Sequence, residues 1–232
     1  QYHKLRDSAP EEESYAEMNE DELAALIYTA GTTGDSKGVM HTHHSLYYNA
    51  KMQYETMNLP DEIVSLSVLP MCHSFGIATT NNRMFLTASG VLLDTFDLET
   101  ILSSIEKYKA NVMAGVPTMY VYLLLFPEPK KYDLSSMKYW ISGSAALALE
   151  TWKQFKEVYG GEIIEGWGLT EAGANNTVNP VHGVKKVGSI GLPMKGTEMA
   201  IMDDDDAILP QGEEGEIVIR GPQLMKGYWN KP

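Results

Sequence analysis

Apolar positions along the chain follow two rhythms. Short segments rich in valine, isoleucine and leucine alternate with stretches in which apolar residues recur every third or fourth position, which predicts an α/β fold with a mainly parallel sheet and flanking helices. "ALIY" (Ala25 to Tyr28) reads as a strand of that pattern, and Leu46, Ala50, Tyr54 and Met57 fall on one face of a helix further on. "IVSLSVLP" and "GVLLDTF" read as the next strands. Asp97 is placed to cap a helix whose buried stripe is Leu98, Ile101, Leu102 and Ile105; the strand "NVMAGV" and a helix opened by Pro117 follow. "KYWISG" reads as a strand before a helix carrying Leu149, Trp152, Phe155 and Tyr159, which Gly160 and Gly161 stop, and "EIIEGWG" returns as a strand. From about Gly188 the helical period disappears, and "TEMAIMD" and "GEIVIRG" stand as short strands between glycine-rich turns. The expected organisation is an acidic leader over 1–22, an α/β core over 23–187 and a small β-rich subdomain over 188–232.

Length and composition narrow the class. A chain of 232 residues with 44% hydrophobic content buries a substantial core. The apolar run "YVYLLLF" is too short for a transmembrane segment and the first residues lack the apolar stretch of a signal peptide, so a cytoplasmic setting is expected. One cysteine, Cys72, excludes an intramolecular disulfide framework and is expected to pack as a small buried hydrophobe. The net charge is −13, but eight acids lie between Asp7 and Glu22 and seven between Asp203 and Glu216, so the rest of the chain is nearly balanced and can hold an anion. Nucleic acid is not an expected partner, because no basic stripe appears. "DDDD" (Asp203 to Asp206) lacks the spaced ligands of a calcium loop and reads as a solvated hairpin tip.

Three polar loops follow predicted strands, where open α/β sheets collect ligands. The first, "YTAGTTGDSKGV" (Tyr28 to Val39), combines glycines that let backbone N–H groups approach a ligand with threonine hydroxyls and one lysine. That set suits a polyphosphate, although a surface turn has similar composition. It does not fit the Walker A spacing, which disfavours a P-loop kinase or GTPase. The second is "SGSAA", and the third is "GWGLTEAG", where Thr170 and Glu171 suit a phosphate with its magnesium or, equally, a helix cap and first-turn acid.

Taken in order, "YTAGTTGDSKGVMHTH", "LPMCHSFG", "SGSAAL", "EGWGLTE", "VGSIGLPMKG" and "GEEGEIVIRGPQLMKGYWNKP" resemble the adenylate-forming superfamily, which includes acyl-CoA synthetases, luciferase and the adenylation domains of peptide synthetases. The resemblance spans about Leu26 to Pro232. It implies ATP-dependent activation of a carboxylic acid to an acyl adenylate, then thioester formation with CoA. Thr29, Gly31, Thr32, Thr33, Gly34 and Lys37 would hold the β- and γ-phosphates, with Thr29 also able to reach Mg2+. Gly143, Ser144 and Ala145, together with Glu165, Gly166, Trp167 and Gly168, would lie along the nucleotide, Trp167 stacking on adenine. Thr170 would contact the α-phosphate and Glu171 would hold the metal, making Lys37, Thr170 and Glu171 the catalytic set. His73 resembles a histidine beside the acyl group; with no aspartate here to pair an ammonium, an α-amino acid substrate is disfavoured, and a fatty acid is expected ahead of an aromatic one. A histidine that merely packs is the alternative.

The sequence departs from the family pattern at Ala30, usually serine, at Ser36, usually proline, and at Trp167, usually tyrosine. The resemblance also implies an internal fragment, without the ribose-binding aspartate and the lysine-bearing C-terminal domain, and so inactive by itself and prone to homo-oligomeric association. A nucleotide- or acyl-binding module without chemistry is the competing class.

Overall fold

The computed structural model describes Ser8 and residues 16–29, 35–59 and 62–231. A three-stranded antiparallel sheet is built from β1 (Leu23–Thr29), β2 (Lys37–Thr42) and β12 (Gly227–Tyr228), in the order β1-β2-β12. After β2 come α1 (His43–Met57), β3 (Val64–Ser67), α2 (Ser74–Phe85), β4 (Ser89–Leu92), α3 (Leu98–Tyr108), β5 (Val112–Gly115), α4 (Pro117–Leu124), β6 (Tyr139–Ser142), α5 (Leu149–Tyr159) and β7 (Glu162–Trp167). With β8 (Thr177–Val178) and β9 (Leu192–Pro193) these strands form a seven-stranded sheet, ordered β4-β3-β5-β6-β7-β8-β9. All pairings from β4 to β7 are parallel, and β8 and β9 close the edge antiparallel.

Alternation along the central strands sends successive residues to opposite faces. Leu66, Met113, Trp140 and Ile163 pack with Ile101, Leu102 and Ile105 of α3, Tyr120 and Leu123 of α4, and Phe155 and Tyr159 of α5. Ile164 and Ile141 point the other way, toward Met52 and Met57 of α1 and Val178, Val181 and Met194. Asp97 caps α3 as its sequence suggests, accepting the Thr100 N–H at 2.7 Å. Gly160 and Gly161 end α5 with φ of 64° and 71°, a region that costs glycine little.

Several expectations are corrected. "ALIY" lies in a strand, but that strand is not part of the parallel sheet: β1 and β2 pair antiparallel outside the large sheet, with Thr29 opposite Lys37. The inward face of α1 keeps the expected Ala50 and Met57 but not Tyr54, which is exposed, and adds Ser45, Asn49, Met52 and Gln53, which are buried. The polar members face inward because the groups they meet are polar: Asn49 Nδ2 donates to the Asn175 carbonyl at 3.0 Å. Cys72 is exposed rather than buried, in the turn closed by the His73 N–H on the Pro70 carbonyl. From Gly188 the chain adds β9 to the large sheet and β12 to the small one, and only β10 (Glu198–Met202) and β11 (Glu216–Arg220) pair apart from both. Asp203 to Asp206 do follow the expectation of a hairpin tip: they leave β10 toward its antiparallel partner β11, Asp204 to Asp206 are exposed, and the Asp203 Oδ1 accepts the N–H groups of Asp205 and Ala207. Most of the acidic leader lies outside the described residues. Among the described residues no helix is long and apolar enough to cross a membrane.

Phe155 is the hub of the larger core, with ring centroids 5.0 Å from Trp140, 5.1 Å from Tyr120 and 4.7 Å from Tyr159. Phe155→Ala is expected to destabilise the chain by about 3–5 kcal/mol through the cavity it opens, read from urea unfolding of the two proteins side by side.

Candidate active site

Strand order reverses around β3, which has β4 on one side and β5 on the other, the arrangement that leaves a crevice at the carboxyl ends of parallel strands. Loops leaving β3, β6 and β7 bring His73 and Ser74, Gly143 and Ser144, and Gly168 to Glu171 to one cavity of about 380 Å³. Thr29 and Lys37, paired at the base of the β1–β2 hairpin, reach the same cavity from the small sheet. Ala30, Gly31, Thr32, Thr33 and Gly34, which join them, lie outside the described residues.

A 3₁₀ turn, Thr170–Ala172, carries the two groups expected to meet phosphate and metal. It is held from several directions. Thr170 Oγ1 shares a hydrogen bond with the buried Ser74 hydroxyl at 3.0 Å, and the Thr170 carbonyl accepts His41 Nε2 at 2.7 Å. The Glu171 carbonyl accepts the Met225 N–H at 2.8 Å, and its carboxylate accepts the Tyr228 hydroxyl at 2.9 Å. Lys37 Nζ lies 5.2 Å from the centre of the Tyr228 ring, so cation, phenol and carboxylate form one string between the sheets. Burial, followed by the bond to Glu171 and its charge, holds the Tyr228 hydroxyl above the ordinary phenol range.

His41 is fully buried, and that burial lowers its pKa against the opposing pull of the Thr170 carbonyl and the Glu171 charge. A carbonyl only accepts, so Nε2 carries the proton and Nδ1 receives the Ser45 hydroxyl at 3.0 Å. His73 is the N-cap of α2: its Nδ1 accepts the Phe75 N–H at 3.2 Å, which puts its proton on Nε2.

Backbone shape carries the β7 side. A Cβ on Gly168 would lie 1.5 Å from the Ala174 carbonyl oxygen, so only glycine lets the chain turn here beside Trp167. Ser144 has φ of 69°, uncommon for a residue with a side chain and typical of functional loops. Three buried polar atoms without a partner, Gln53 Oε1, Ser142 Oγ and Asn175 Nδ2, belong to residues that line the cavity. Unmet buried groups are costly, and a polar ligand would satisfy them.

The structure therefore brings together Thr29, Lys37, His73, Gly143, Ser144, Gly166, Trp167, Gly168, Thr170 and Glu171. Ala145 and Glu165 do not line the cavity. Glu165 is buried and braces the loops instead, its carboxylate accepting the N–H groups of Leu147 at 3.4 Å and Gly188 at 3.1 Å. Sequence reasoning missed His41, Ser74, Tyr228 and the inward polar face of α1. A histidine inside a strand, followed by Thr42 and Ser45 as a helix-capping pair, was the one readable trace of them.

A magnesium ion bound here would have one carboxylate, Glu171, with a free Oε2, and the Thr29 hydroxyl. Among the described residues no group of three acids, histidines or cysteines gathers into an all-protein metal cage. One carboxylate at the edge of a cavity that also holds Lys37 and Thr170 fits magnesium, which keeps waters and takes phosphate oxygens as further ligands.

Comparison with known proteins agrees with this arrangement. The AMP-binding enzyme family model matches residues 2–229. The chain is 42% identical over 219 residues to a long-chain-fatty-acid–CoA ligase of Bacillus subtilis, covering 92% of this chain and 39% of the relative. It is 31% identical over 228 residues to a feruloyl-CoA synthase of Amycolatopsis, covering 97% of this chain and 46% of that protein. The fold matches ATP-bound MatB from Rhodopseudomonas palustris with a TM-score of 0.89 at 32% identity, over 98% of this chain and 45% of that one. The chain thus spans less than half the length of these proteins, and within that span it belongs to the AMP-binding enzyme family.

Proposed function

We propose that the protein containing this chain activates a carboxylic acid with ATP and passes the acyl group to CoA. The observation that carries this reading is the single cavity into which Lys37 and Thr29, Trp167, Thr170 and Glu171, and His73 all converge. A substrate carboxylate oxygen attacks the α-phosphorus of ATP, the new O–P bond replaces the bond to pyrophosphate, and an acyl adenylate forms. The thiol of CoA then displaces AMP at the acyl carbon. A carboxylate is already nucleophilic at neutral pH, so the first step asks for alignment and charge compensation more than proton transfer.

Lys37 supplies positive charge toward the leaving pyrophosphate, assisted by the glycine-rich stretch Gly31, Thr32, Thr33 and Gly34. Thr170 donates to the α-phosphate, its hydroxyl oriented by Ser74. Glu171, with Thr29, would hold Mg2+, which when bound neutralises phosphate charge. Trp167 offers an aromatic face to adenine, beside the backbone of Gly143 and Ser144. His73 stands at the acyl side with its Nε2–H available as a donor. An aliphatic acid is the first reading, supported by the fatty-acid ligase relatives; an aromatic acid is the second, favoured by the feruloyl-CoA synthase relative.

ATP–pyrophosphate exchange by the full-length protein across a panel of aliphatic and aromatic acids tests the reaction. Glu171→Gln is expected to lower kcat about 10²–10³-fold and raise the magnesium requirement, with acid affinity nearly unchanged. An unchanged rate and magnesium dependence would remove Glu171 from the metal. Trp167→Ala is expected to weaken ATP binding by about 1–3 kcal/mol in calorimetric titration, the scale of one lost stacking contact. Lowered unfolding stability with ATP affinity intact would make Trp167 a packing residue instead.

A further inference from the structure

Arg83, near the end of α2, is a buried cation without a counter-charge. It is 9% exposed, and among the described residues no carboxylate lies within ion-pair distance of it. Its Nη1 reaches two neutral acceptors on β3, Ser67 Oγ at 2.8 Å and Ser65 Oγ at 3.4 Å. Burial lowers its pKa. The side chain lies over β4 at Gly90, where a Cβ would come within 2.5 Å of Arg83 Cδ, so the strand makes room for it. A desolvated guanidinium with five donors and only hydroxyl partners is poorly compensated.

Arg83 lines a second cavity of about 40 Å³, whose wall is mostly apolar, with Leu66 and Val112 among it, and whose polar members beside the guanidinium include Gln53, Ser65, Ser67 and Asn82. Gln53 and Ile141 line both this cavity and the large one, so the two share a wall there. The Gln53 side-chain oxygen at that junction is buried without a partner. About 40 Å³ is room enough for a carboxylate beside the guanidinium.

Resting on the carboxylate-activating function above, we propose that the acid's far end is received here, and that it carries a second carboxylate: the substrate class is a dicarboxylic acid. Its reacting carboxylate lies near His73 and Thr170, its chain passes Gln53 and Ile141, and its distal carboxylate pairs with Arg83. A guanidinium matches a carboxylate with two parallel hydrogen bonds, and the pair neutralises a charge that an apolar tail would leave buried and alone. Ser65 and Ser67 hold the guanidinium from the sheet side, making Arg83 a specificity-determining residue rather than a catalytic one.

The test offers the full-length protein α,ω-dicarboxylic acids and monocarboxylic acids of equal carbon number, pairwise, and follows pyrophosphate release. The diacid is expected to be preferred about tenfold or more in kcat/KM at the best-fitting length, and Arg83→Leu to lower that ratio about tenfold, with Arg83→Lys lowering it less. A purely structural arginine would change stability and leave the ratio alone. The wild-type comparison stands even if Arg83→Leu does not fold. No wild-type preference for the diacid, or a ratio untouched by Arg83→Leu, overturns this proposal and leaves carboxylate activation in place. Absence of pyrophosphate release with every acid overturns both.

Discussion

One buried hydrogen bond joins the two sheets at the point where the candidate chemistry sits. His41 on β2 donates Nε2–H to the Thr170 carbonyl at 2.7 Å, across 129 positions of sequence. Lys37 begins the same strand, and Thr170 and Glu171 occupy the turn that His41 holds, so this contact fixes the cation relative to the groups proposed to meet phosphate and metal. Burial keeps the ring neutral and the Ser45 hydroxyl fixes its tautomer. Tyr228 and Met225 bind Glu171 from the following segment, which makes the small sheet a clamp on the turn rather than a separate unit.

The same requirement explains why α1 is polar on its buried face. A helix that covered only core would present apolar residues at the helical period. Here Asn49 bonds to the Asn175 carbonyl and Gln53 leaves an oxygen open at the junction of two cavities. On the opposite face of the large sheet, α3, α4 and α5 pack an apolar aromatic cluster centred on Phe155. One face is packed around aromatic rings, and the other combines a smaller apolar cluster with unpartnered Gln53, Ser142 and Asn175 atoms at the cavity.

That division also decides what could be read from sequence. Strands β3 to β7 and the stripe Ile101, Leu102 and Ile105 follow the apolar period because packing alone sets them. The same period misplaces the face of α1, because Tyr54 is solvent-exposed while Ser45 and Asn49 are buried. Glycine, threonine and lysine mark a phosphate-type loop locally, but the third strand of the small sheet, β12 pairing with β2 from the far end of the chain, is a contact no local pattern encodes. Thr170 and Glu171 are legible as a polar pair. Their positioning by His41, Ser74 and Tyr228 is not, since those residues lie far apart in sequence and only folding gathers them. Glu165 shows the converse: a residue inside a recognisable motif whose carboxylate is consumed by backbone N–H groups.

Under the proposed function, the His41–Thr170 bond aligns the reacting groups rather than merely stabilising the fold. The most direct measurement is the single-turnover rate of acyl-adenylate formation at saturating ATP and acid in the full-length protein, for His41→Leu and His41→Gln. His41→Leu is predicted to slow that step by about 10²-fold with little change in acid affinity, the scale of a small misplacement at a reacting centre, while glutamine, which keeps an N–H donor, restores most of the rate. Equal rates in wild type and His41→Leu, or equal losses for leucine and glutamine alongside equal losses of stability, would contradict the account.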